Sequence, residues 1–145
     1  MAVTVKRITL WRSEVENKPG TLARTLRPLA QAGANLQVIM GCGIPGDATR
    51  GAIELFPVSG KKSQEAARTA GLSLASIPTL LAIGDDRPGL GSAIADAIAG
   101  AGINLSFLVA QVIGRRYSGI YGFESEEDAR KGATLIKRAS RPSRK

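Results

Sequence analysis

Histidine is absent from the 145 residues, and cysteine occurs once, at Cys42. Without an imidazole there is no histidine base for a nucleophilic triad, no histidine-ligated haem and little scope for zinc catalysis. One thiol excludes an internal disulfide framework and a cysteine-rich zinc site. Aromatic residues make up only 4% of the chain, so Ala, Ile, Leu and Val must fill the core. No apolar run approaches the roughly 18 residues of a membrane span. Residues 1–7 show no apolar stretch leading to a small-residue cleavage site. The expectation is therefore a cytoplasmic protein with no membrane partner, no cofactor and no metal.

What is present suits a globular chain. Hydrophobic residues reach 43% and charged residues 22%, enough apolar surface to offset the entropy of folding. The length allows one domain or two very small ones. Net charge is +8, which raises the question of nucleic acid, but five basic side chains and no acid lie in residues 137–145. Removing those five from +8 leaves +3 for residues 1–136. The excess sits in a polar tail, expected to be disordered from residue 138 onward, so nucleic acid is the weaker alternative partner.

The chain repeats itself. Glu16-Asn17-Lys18-Pro19-Gly20-Thr21-Leu22 aligns with Asp85-Asp86-Arg87-Pro88-Gly89-Leu90-Gly91 at an offset of 69. At the same offset, Ala32-Gly33-Ala34-Asn35-Leu36 falls on Ala101-Gly102-Ile103-Asn104-Leu105. Two motifs sharing one offset with no gap imply two copies of a unit of about 70 residues.

Each copy reads as strand, Pro-Gly turn, helix, strand, strand, helix. Residues 3–12 and 79–84 carry the β-branched and apolar residues of a first strand. Leu90, Ala93, Ile94, Ala97, Ile98 and Ala101 form one apolar helical face, and Leu22, Leu26 and Leu29 suggest the same in the first copy. Pro28 predicts a kink or an early end there. Gly33 and Gly102 are placed to cap these helices in the left-handed conformation. Second strands follow at 36–40 and 103–113, third strands at 51–58 and 118–124, and second helices from Ser63 and Ser125. Ser125 is a good N-cap, and Glu126, Glu127 and Asp128 suit the positive end of the helix dipole. A fourth strand fits at 72–77. Its counterpart would begin near residue 142, where the sequence ends, so the second copy lacks one. The expected class is α+β: two ferredoxin-like βαββαβ units in tandem, 1–78 and 79–137, with antiparallel sheets and helices on one face.

The strand, Pro-Gly turn and helix entry carry the functional signal. Proline pre-sets φ where the first helical turn lacks an acceptor for its N–H. Glycine turns the backbone and leaves space beside it. The free N–H groups at the helix start can hold a carboxylate, while Asn17 or Asp86 can accept from an ammonium group. A free amino acid carries both charges on one carbon.

Asn17-Lys18-Pro19-Gly20-Thr21-Leu22 with Ala32–Leu36, and Asp86-Arg87-Pro88-Gly89-Leu90 with Ala101–Leu105, resemble the ACT domain family over residues 3 to about 137. The resemblance implies a non-enzymatic regulatory protein that senses an amino acid at interfaces between ACT-like units. Asn17, Pro19, Gly20, Leu22, Asp86, Pro88, Gly89 and Leu90 would line the two loops. Asn35, Leu36, Asn104 and Leu105 would stand at the second-strand starts. Asp86 replaces the amide Asn17, so the two sites would differ in preference. An open sheet edge in the second copy would favour a homodimer, and an enzyme regulated by the protein is a possible further partner.

Other motifs carry less. Gly41-Cys42-Gly43-Ile44-Pro45-Gly46 has the glycine spacing of a dinucleotide fingerprint, but residues 52–56 read as a strand where that fingerprint needs a helix. Tyr121 and Phe123 share one face of a third strand, as the stacking aromatics of RNA-binding domains do, without the accompanying basic residue. The acidic pairs Glu14/Glu16 and Asp85/Asp86 have no partner base, and no catalytic residue is assigned.

Overall fold

The computed structural model describes residues 3–142. In chain order it contains β1 (Thr4–Ile8), β2 (Trp11–Glu16), α1 (Thr21–Gln31), β3 (Val38–Ile44), β4 (Asp47–Phe56), α2 (Lys61–Thr69), β5 (Ser73–Leu74), β6 (Thr79–Asp85), α3 (Leu90–Gly100), β7 (Leu105–Ile113), β8 (Arg116–Phe123) and α4 (Glu126–Ala139). Two four-stranded antiparallel sheets result, ordered β3-β4-β2-β5 and β1-β6-β8-β7. The class is the expected α+β, two ferredoxin-like units.

The units are cut differently from the expected 1–78 and 79–137. Thr9–Ser76 form one compact unit, here the insert unit. Met1–Ile8 join Ile77–Lys145 in the other, the split unit. The strand expected over 3–12 is two strands, broken at Thr9 and Leu10. Its first half, β1, pairs antiparallel with β6 from Thr4↔Ile83 to Ile8↔Thr79. That is the position β5 takes beside β2 in the insert unit. The fourth strand expected to be missing is thus supplied from the opposite end of the chain.

Local chemistry holds β1 there. Val3 and Ile8 are buried, and Val3 belongs to the split unit's core with Leu80, Ile94, Phe123 and Ile136. The Val3 amide donates to Ser140 Oγ at 3.1 Å, and that hydroxyl donates to the Lys137 carbonyl at 2.9 Å. Arg7 grips Glu126 with both Nε (3.2 Å) and a terminal nitrogen (2.5 Å). Gly84 lets β1 approach, because a Cβ there would lie 2.5 Å from Val3 Cα. The tail expected from residue 138 begins later: α4 runs to Ala139 and Ser140 is its C-cap. Residues 143–145 of that tail lie outside the described residues.

In the insert unit Trp11, Leu29, Ile53, Leu55, Val58, Ala67 and Leu72 form the core. The guanidinium of Arg68 lies over the Trp11 ring, 5.7 Å from its centroid. Helix α1 continues three residues past Pro28. Its buried stripe is Thr21, Thr25 and Leu29, and of the expected Leu22, Leu26 and Leu29 face Leu26 is half-buried against the core. Thr25 Oγ1 donates to the Thr21 carbonyl at 3.0 Å, which lets two threonines sit on the buried face. Leu22 is left 44% exposed. The third strand starts at Asp47 rather than 51, and α2 follows Gly60, with Ser63 buried inside it. Gly33 and Gly102 take the expected left-handed conformation, φ +83° and +72°. Ser125 caps α4 by accepting from the Asp128 amide at 3.1 Å.

Candidate functional site

The two Pro-Gly turns enter their helices in the same way. Gly20 and Gly89 are the N-cap residues of α1 and α3, at φ +90° and +82°. Both angles belong to glycine, and a Cβ at either position would meet nothing within 4 Å. No side chain caps either helix among the described residues. The Thr21 and Leu90 amides donate to the Lys18 and Arg87 carbonyls at 3.3 and 3.2 Å, which leaves the amides of the second and third residues of each helix without a side-chain cap.

A hollow lies beside each mouth, each within its own unit. In the insert unit it measures about 360 Å³ and is lined by Glu16, Asn17, Lys18, Thr21 and Leu22 with Gly41–Gly43 of β3 and Gly51–Ile53 of β4. In the split unit it is about 280 Å³, lined by Asp86, Arg87, Gly89, Leu90 and Gly91 with Ala110–Val112 of β7 and Tyr117 of β8. The offset of 69 read in the sequence carries Asn17, Lys18 and Gly41–Gly43 onto Asp86, Arg87 and Ala110–Val112. The two hollows are copies of one site.

Their polar equipment differs. In the insert unit Lys18 Nζ pairs with Glu16 at 2.8 Å, and this bond holds the exposed Glu16 carboxyl below the usual carboxylate range. Asn17 Nδ2 donates to the Ala48 carbonyl at 3.3 Å. In the split unit Arg116 pairs with Asp85 at 3.0 Å, and Arg87 donates to the Ala139 carbonyl at 2.8 Å. Tyr117 and Tyr121 share a short hydrogen bond between their hydroxyls. Burial raises the phenol pKa of Tyr117, with the charge of Asp86 adding to it, and burial likewise raises that of Tyr121.

The expected site residues fall into two groups. Asn17 and Leu22 line one hollow, and Asp86, Gly89 and Leu90 line the other. Gly20, Pro19 and Pro88 shape the turns between them. Asn35, Leu36, Asn104 and Leu105 are not gathered there. They stand where the chain leaves α1 and α3, on the order of 15 Å along the strand from Gly41 or Ala110. Asn35 lines a separate hollow of about 340 Å³ with Gly33, Gln37 and Ser63. Asn104 donates to Glu124 at 2.9 Å. Leu36 and Leu105 pack against their units' cores. The strand residues that face the turns are Gly41–Gly43 and Ala110–Val112, from the far half of each second strand. The odd density of glycine at 41–46 is the available signal; the sequence reads it only as a dinucleotide fingerprint, set aside for the strand expected at 52–56, which is part of β4.

Tyr121 and Phe123, the candidate stacking pair, are 2% and 0% exposed and belong to the split unit's core. They offer no platform to a base. Among the described residues no three metal-ligating side chains converge, and no helix is long and apolar enough to cross a membrane.

No family model and no curated relative matches the chain. Solved structures do. A protein from Bacteroides thetaiotaomicron superposes with a TM-score of 0.72 at 13% identity, covering 90% of this chain and 88% of that one. The ligand-free regulatory subunit of aspartate kinase from Thermus thermophilus gives 0.61 at 20% identity, covering 95% and 99%. The corresponding subunit from Thermus flavus gives 0.59 at 18%, covering 96% and 97%. At such identities the likeness is one of fold, and it spans nearly the whole chain: two ferredoxin-like units in tandem.

Proposed function

We propose that the protein is a non-enzymatic regulatory subunit that binds a free amino acid at the helix mouths and passes the signal to a partner, an enzyme of metabolism among the candidates. The observation that carries this reading is the duplicated hollow, each with a helix N-terminus that no side chain caps and an exposed ion pair or acid beside it. Uncapped N–H groups at a helix start favour a carboxylate. Glu16 or Asp86 favours an ammonium group. The fold neighbours titled as regulatory subunits of aspartate kinase support the regulatory part of the reading.

A second copy of the chain is part of this proposal, on a different edge from the one expected. The position expected to be open is filled by β1. Of that sheet's two edges, β1 is five residues long and carries Lys6 and Arg7, whereas β7 is nine residues without a charge or proline, with Leu108, Val109, Val112 and Ile113 exposed. Such an edge offers unpaired backbone groups and apolar side chains to an identical strand. Ligand binding would shift an assembly equilibrium by its differential affinity for the two states.

A thermal-shift screen against each of the twenty protein amino acids tests the reading. One or a few should raise the melting temperature, with stabilisation of about 2.7 kcal/mol at one hundred times Kd. No shift with any of the twenty would refute it.

A further inference from the structure

We propose that each chain holds one ligand, in the hollow of the insert unit, and that Ala110, Val112 and Tyr117 make the corresponding hollow of the split unit, about 280 Å³ against about 360 Å³, too narrow for it. This rests on the amino-acid reading above and says which of the two copies is used.

The sheet register identifies the counterpart of Tyr117. Gly43 pairs with Gly51 across β3 and β4. Val112, at the repeat offset from Gly43, pairs with Tyr117 across β7 and β8. Where the insert unit has Gly41, Gly43 and Gly51, the split unit therefore has Ala110, Val112 and Tyr117. The first set has no side chain at the mouth of the hollow; the second has a phenol ring.

Gly43 stands at the register shift between Gly43 and Ile44, where a bulge accounts for a glycine. Gly41 has no such reason, since its φ is not positive and a Cβ there would meet nothing within 4 Å. Glycine within a strand costs about 0.5–1 kcal/mol relative to alanine. Where neither a turn nor packing explains it, glycine marks a close approach from outside. Gly51 differs: a Cβ there would lie 3.0 Å from the Cys42 carbonyl oxygen.

The ring of Tyr117 is locked in place. It is 4% exposed, lies in the core with Leu90 and Phe123, and bonds to the Tyr121 hydroxyl. Gly119 is glycine because a Cβ would come within 2.6 Å of the Tyr121 ring and 2.8 Å of the Tyr117 hydroxyl. The insert unit has aliphatic Ile53 and Leu55 at the positions of Gly119 and Tyr121, which face Gly41 and Ile39 as those face Ala110 and Leu108. Moving the ring aside would strand a buried hydroxyl. The cations differ in the same sense. Arg87 is tied to the Ala139 carbonyl, whereas Lys18 is held by the exposed Glu16 carboxylate alone among the bonds described.

Isothermal titration with each of the twenty amino acids, on the full chain, tests the assignment. The binding amino acid should saturate at one per chain. Gly43→Val, and independently Gly41→Val, should weaken it about 100-fold or more by placing a side chain in the hollow. Gly91→Val, in the split unit's hollow where a Cβ also meets nothing within 4 Å, should leave affinity unchanged. Melting curves establish that each variant is folded. Two ligands per chain, or equal losses from Gly91→Val and Gly43→Val, would overturn the asymmetry and leave the sensor reading standing. No heat from any amino acid with the unaltered chain would overturn both.

Discussion

Gly84→Ala is the sharpest probe of the way the chain closes its second sheet. The added Cβ would sit 2.5 Å from Val3 Cα, 2.8 Å from its Cγ1 and 3.0 Å from its Cβ. Backbone stands in the way, so no rotamer change relieves the clash, and β1 must move off β6. Val3 then loses its burial, worth about 1.5–3 kcal/mol for a side chain of this size. The bond from its amide to Ser140 adds about 0.5–1.5 kcal/mol. The expected loss is about 2–4.5 kcal/mol, confined to the unit of Met1–Ile8 and Ile77–Lys145. For a unit of that size this lowers the melting temperature by about 10–25 °C. Native-state hydrogen exchange locates the loss: amides of β6 and β8 should exchange faster, while those of β2 and β4 keep their protection. Gly91→Ala is the control. It adds the same methyl to an exposed helical glycine with open space around it, and it should stabilise by about 0.5–1 kcal/mol. If Gly84→Ala changes stability by less than about 0.5 kcal/mol, the usual range of a surface substitution, β1 is not seated as described.

Three further outcomes are expected. The chain has only two tyrosines, and both are in the Tyr117–Tyr121 pair. Burial raises both native pKa values, so below pH of about 10, the unfolded value, both states are neutral and the pair adds no pH dependence. Above it the unfolded chain ionises first and stability falls. Near-ultraviolet absorbance should show tyrosinate appearing only with unfolding; a tyrosine that titrates near 10 in the folded protein would contradict the buried pair. Ser125→Ala removes the acceptor for the Asp128 amide and should cost about 0.5–2 kcal/mol in denaturant titrations, with no cost meaning the cap is idle. Val109→Lys places a charge in the middle of β7 and should shift light scattering toward the monomer; a mass equal to that of the unaltered dimer would remove β7 as the docking edge.

Much of the architecture is a local property of the chain. The period of the repeat, the glycine caps at Gly33 and Gly102, the Ser125 cap and the alternation of strands and helices depend on residues within a few positions of one another. Those interactions are readable without knowing what lies across the core. The turn residues Asn17, Gly20, Asp86 and Gly89 were legible for the same reason: a positive φ at a helix entry is a local demand that only glycine meets cheaply.

Pairing over long separations was not legible. Residues 3–12 have the composition of one strand, and nothing nearby says that the first half joins β6, some 75 residues away. That choice depends on Gly84 clearing a path for Val3 and on Ser140 and Glu126 waiting beside it. The hollows are a second case. Asn35 and Leu36 follow the helix in sequence, yet an antiparallel return carries the chain back before it meets the turn, so Gly41 and Gly43 face the site instead. Which residue lines each hollow from across the ladder, Gly51 or Tyr117, is decided there too. Register is a property of the folded sheet, because hydrogen bonds between strands, and not the spacing along either one, decide which side chains meet.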